Sequence, residues 1–181
     1  MDFETLIAEK LDTSTTALSE YFYQHKQKLA EDLFNTLAPL VEMAKYQQIA
    51  GVKEPLACLH IAFLRSCIAA QTYEFRLALC SKDLWTDPIE TAVYWDASFI
   101  FQYVEQDVSE VVGILKRQAP LSDFDVREMK YKYALDFLPT AQIIVEELML
   151  EALSKVDLEG LKFDESLTVV HGGYMEGGTV I

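Results

Sequence analysis

PLACLHIAFLRSCIAAQTYEFRLALC, residues 55–80, is the longest apolar run in the chain and decides how the rest is read. Proline at its first position suits the opening turn of a helix, and Ser81-Lys82-Asp83 leads out of it. The run is apolar on nearly every side, which predicts a central helix buried by its neighbours. His60, Arg65, Glu74 and Arg76 interrupt it, so it does not read as a membrane span.

Flanking segments show helical spacing too. Asp12-Thr13-Ser14-Thr15 looks like an N-cap cluster ahead of Leu18, Tyr21, Phe22, Leu29, Leu33 and Leu37. Pro39 predicts a kink, and a shorter helix carrying Leu40, Val41, Ala44 and Ile49 should stop at Gly51. Asp87-Pro88 is a start signal for a third long helix to about Arg117, with Val93, Ala97, Phe101, Val104, Val108, Val111 and Val112 on one face. Ser122-Asp123-Phe124-Asp125 caps a fourth, which passes Met129, Tyr133, Phe137, Ile144 and Leu148 and meets Pro139. The expected fold is all-α: an antiparallel bundle of about four long helices, some kinked at proline, plus a short N-terminal helix over 3–10. Residues 1–160 form the bundle domain in this reading. Residues 161–181 form an arm or short β-hairpin, since Leu167-Thr168-Val169-Val170 and Thr179-Val180-Ile181 are β-prone and flank Gly172, Gly173, Gly177 and Gly178.

Composition narrows the function classes. The chain of 181 residues is 51% apolar and 12% aromatic, ample for a core without disulfide or metal. Net charge is −14, with −7 of it in residues 83–125, where Lys116 and Arg117 are the only bases. Such a surface repels phosphate backbones and anionic membranes, so neither nucleic acid nor membrane is an expected partner. Met1-Asp2-Phe3-Glu4 lacks a basic region followed by an apolar run, so a cytoplasmic protein is expected. On a helix, Cys58, Cys67 and Cys80 would lie roughly 13 Å or more apart, as isolated buried thiols.

Within a central helix over 55–80, Arg65, Thr72 and Arg76 fall on one line. A guanidinium there suits a carboxylate or phosphate, which predicts a pocket for a small anionic or aromatic ligand with Tyr73, Tyr94 and Trp95 as walls. The competing reading pairs the arginines with Glu90, Asp96 or Asp136 in buried ion pairs. His60, Cys67, Gln71 and Glu74 form a second stripe, but steps of seven residues do not chelate a metal from one helix, and no cofactor is expected. No Gly-x-Ser-x-Gly elbow or phosphate loop occurs, and Tyr73, Glu74 and Asp96 are the only groups to nominate for acid–base chemistry. His171-Gly172-Gly173-Tyr174 reads as a turn. Phe99 and Tyr103, on the side of the third helix opposite its main stripe, and Val169 and Val180 in the tail are interface candidates for a homodimer. The sequence favours an interaction or regulatory module, then a ligand binder, then an enzyme.

Overall fold

The computed structural model describes residues 3–174 and 178–181; Met1, Asp2 and Gly177 of the sequence reading lie outside them. The chain is not an all-α bundle. It is 59% helical and 20% strand, with a five-stranded mixed sheet.

Residues 55–80 are where the bundle reading fails. They form strand β1 (Leu56–Phe63), a five-residue helix α2 (Ser66–Ala70) and strand β2 (Glu74–Ser81), which pairs antiparallel with β1. Gln71 and Tyr73, at φ 59° and 49°, turn the chain between α2 and β2. A strand covered on both faces is apolar throughout and has no period to distinguish it from a buried helix. Asp87-Pro88 likewise does not open a helix. Strand β3 (Ala92–Asp96) follows it, and helix α3 starts only at Ser98 and runs to Leu115.

Helix α1 spans Phe3–Ile49 without a break, so the N-terminal helix, the first long helix and the short helix are one. The Thr13, Thr15 and Thr16 hydroxyls donate to the carbonyls of Glu9, Leu11 and Asp12 within the helix, where an N-cap would have turned outward. Pro39 is accommodated inside α1, and Pro139 inside α4 (Asp123–Leu153). The start of α4 is as expected: Ser122 and Asp125 exchange hydrogen bonds in a capping box.

Strand β4 (Phe163–Gly173) lies parallel to β1, and β5 (Gly178–Val180) returns antiparallel to β4. The sheet order is β3-β2-β1-β4-β5. Leu59, Ile61, Phe63, Phe75, Leu77, Leu79 and Trp95 share one core with α1, α3 and α4. The alternate residues face the other way: Cys58, Ala78 and Cys80, with Ala92 and Val170, form a separate small cluster to which no long helix contributes. The helices therefore cover one face, leaving the other to loops and side chains. Among the described residues, no helix is long and apolar enough to cross a membrane.

One buried polar knot ties the helices together. Asp107 of α3 accepts from Ser14 of α1 at 2.6 Å and from Tyr133 of α4 at 2.7 Å, with Lys10 at 3.8 Å. Asp107→Ala strips two buried hydroxyls of their acceptor and is expected to cost about 1–3 kcal/mol in urea unfolding. Asp107→Asn, which keeps one acceptor oxygen, should cost less.

Candidate functional site

The helix-free face of the sheet gathers the chain's most chemically loaded side chains. In the β1/β2/β3 register, Cys58 lies opposite Cys80, His60 opposite Ala78, and Arg76 between Ala62 and Tyr94. Directly opposed residues share a face, so Cys58, His60, Arg76, Cys80 and Tyr94 all point away from the helices. Small residues at Ala62, Ala78 and Ala92 leave the long side chains room.

Arg76 is 8% exposed. Its Nη2 and Nε donate to Glu90 Oε1 at 2.9 and 3.3 Å, and its guanidinium lies 5.2 Å from the ring centroid of Tyr174. Nη1 is buried and makes no hydrogen bond among the described residues. Most of the Glu90 side chain, 66%, is exposed, so this pairing carboxylate stands at the rim while the cation lies in the floor.

Beside them is a cavity of about 170 Å³ lined in part by Lys53, Arg76, Cys80, Asp87, Glu90 and Tyr174. Its back wall is ionic: Lys53 Nζ donates to Asp87 Oδ2 at 2.6 Å and to the Ile89 carbonyl at 2.8 Å. Burial pushes the Asp87 carboxyl up. Hydrogen bonds from Lys53 and from the Ser81 and Ile89 amides outweigh burial and hold it below its usual range. Lys53 is thereby committed to the fold, whereas Arg76 keeps a nitrogen, Nη1, with no acceptor among the described residues. No known protein family, curated protein or solved structure matches the chain.

Most of the other residues expected at a ligand pocket do not converge on Arg76. Tyr94 does, as its cross-strand partner, and is half exposed. Arg65 and Thr72 are exposed at either end of the α2 connection. Tyr73 and Trp95 are buried on the helix side, where Tyr73 stacks on Phe101 at 5.0 Å and Trp95 meets Phe75 and Phe99 edgewise or tilted. The Tyr73 hydroxyl donates to Glu105, which also pairs with Lys130. Burial and that carboxylate raise the Tyr73 hydroxyl well above its ordinary range, which suits a structural tie better than acid–base work. Phe99 and Tyr103 are half-buried against the same core, as is Val169, whereas Val180 on β5 is 66% exposed.

His60, Cys67 and Glu74 are dispersed to β1, α2 and β2, and a helix-based metal stripe does not exist. Sequence reasoning passed over Lys53, Asp87 and the Cys58/Cys80 pairing, because only the strand register brings them together. A larger, more open groove of about 640 Å³ lies between α2, α3 and the start of α4, with Ile68, Val108, Val112 and Val126 among its lining and Lys116, Arg127 and Lys130 around them.

Proposed function

We propose that this chain is a recognition module whose helix-free sheet face binds a carboxylate-bearing ligand at Arg76. The observation that carries the reading is that Arg76 lines a cavity while its buried Nη1 has no acceptor among the described residues. A buried polar group without a partner needs an explanation, and a guanidinium presents a second edge suited to a carboxylate. Tyr94 and Tyr174, 52% and 42% exposed, flank it with the residue types that anchor recognition surfaces.

The carboxylate belongs either to a small acid or to an acidic side chain of a protein partner. Titration with succinate and, separately, with a tetraglutamate peptide distinguishes these sources. Binding is followed by the Arg76 guanidinium NMR signal and by calorimetry. The expected result is a shift of that signal with one probe, and an affinity that falls about tenfold to a hundredfold in Arg76→Gln, the worth of a charged hydrogen bond. An Arg76 signal unmoved by millimolar amounts of both probes would refute the proposal without reference to any variant.

A second reading keeps the homodimer. β5 is an edge strand of three exposed residues, and edges of this kind pair readily with another copy. Val180→Asp is expected to convert a dimer to a monomer in light scattering, and a wild-type monomer at all concentrations excludes this reading.

A further inference from the structure

Cys58 and Cys80 sit directly opposite each other on antiparallel strands, on the same face of the sheet. Opposed residues of such a pair have Cα atoms about 4.5–5.5 Å apart, and a disulfide requires roughly 4.4–6.8 Å. The spacing of directly opposed residues thus falls within the disulfide range. Both are free, buried thiols, and the Cys80 Sγ–H donates to the Ala78 carbonyl at 3.9 Å. The register shifts between Leu56 and Cys58, an irregularity that interrupts the ladder beside Cys58. Their apolar neighbours on this face are Ala78, Ala92 and Val170, with His60 and Arg76 farther along the same strands.

Access comes through the cavity beside Arg76, which Cys80 lines. Its volume of about 170 Å³ admits a molecule slightly larger than water, which occupies about 30 Å³ in the liquid. The two sulfurs are not equivalent. The adjacent Cys58 thiol, helped by the charges of Lys53 and Arg76, lowers the Cys80 thiol against the opposing effects of burial and Asp87. The adjacent Cys80 and burial raise Cys58. Cys67 is also buried but lies on α2, away from this cluster, and serves as an internal comparison.

We propose that Cys58 and Cys80 form a redox-active dithiol, which a hydroperoxide closes into a disulfide linking β1 to β2. The Cys80 sulfur attacks one peroxide oxygen; the O–O bond breaks, and the departing oxygen takes the thiol proton and, with hydrogen peroxide, leaves as water. Cys80 is then a sulfenic acid. The Cys58 sulfur attacks Sγ of Cys80, an S–S bond forms, the S–O bond breaks, and the Cys58 proton leaves with that oxygen as a second water. Two electrons pass from the dithiol to the peroxide, and a thiol reductant restores the pair.

The sequence makes the test direct, because trypsin places the three cysteines on separate peptides: 54–65, 66–76 and 77–82. The reduced wild-type protein is treated with up to tenfold hydrogen peroxide, alkylated after denaturation, and mapped without reductant. A 54–65/77–82 linked species that dithiothreitol reverses, with Cys67 recovered alkylated, is the expected result. Recovery of all three peptides alkylated, or any link through Cys67, would overturn the proposal. In Cys58→Ser the sulfenic acid on Cys80 should persist and be captured by dimedone. Capture on Cys67 in its place would overturn the assignment of Cys80 as the reacting sulfur.

Discussion

Replacing Lys53 by methionine is expected to cost the fold about 3–5 kcal/mol, the penalty for breaking a buried ion pair from one side. The Lys53 side chain is 1% exposed and the Asp87 side chain 8%, so neither charge can turn to water when its partner is lost. Asp87 would keep the Ser81 amide at 2.9 Å and the Ile89 amide at 3.2 Å, but lose the 2.6 Å contact that neutralises it. The Ile89 carbonyl would lose its 2.8 Å donor as well. In a chain of this size the deficit lowers the thermal midpoint by about 6–20 °C. Urea unfolding of Lys53→Met, Asp87→Leu and the double variant measures it. Because the two groups contact each other, the double variant should recover part of the loss instead of adding the two. A cost under about 1 kcal/mol for Lys53→Met would mean the pair is dispensable, and the loop over 82–91 is held by something else.

This pair also marks the boundary of what the sequence discloses. Asp87 reads as a helix-opening residue, and its real role beside Lys53 depends on the strand return that brings the two together. Ser122 and Asp125 were legible because a capping box is complete within four residues. Val104, Val108, Val111 and Val112 were legible because α3 exposes one side and so keeps its period. Leu56–Phe63 was not, since the helices cover Leu59, Ile61 and Phe63 while loops and neighbouring side chains bury Cys58, His60 and Ala62. Tyr73-Glu74-Phe75-Arg76-Leu77 did alternate with period two, which was the available clue to β2. Ala92-Val93-Tyr94-Trp95 was likewise β-prone. Arg76 does pair with Glu90, one of the carboxylates named for a buried ion pair. Its alignment with Arg65 and Thr72 was an artefact of the helical period.

Acid is expected to unfold this protein in two stages, the first belonging to histidine. His60 is 2% exposed on β1, and burial, then the positive charges of Arg76 and His171, lowers its pKa to about 4. Burial lowers His171 too, although Glu146 at 3.5 Å opposes this. The unfolded chain takes up these protons near pH 6.5, while the folded chain refuses them until lower pH. Stability from the neutral His60 ring is therefore complete above about pH 6.5 and lost as pH falls toward about 4. At 1.36 kcal/mol per unit, His60 accounts for about 2 kcal/mol by pH 5 and about 3 kcal/mol by pH 4. His171 adds in the same direction. The carboxylates held below their ordinary values, Asp87 among them, lose their contribution only at the acid end of this range and beyond. Urea midpoints between pH 7.5 and 5 thus isolate the histidines. His60→Leu should flatten that segment of the curve by the His60 share, and wild-type His60 should not titrate by NMR until well below pH 6. A wild-type stability unchanged from pH 7.5 to 5 would refute this account: it would require the ring to protonate inside the sheet, against Arg76, as easily as it does in water.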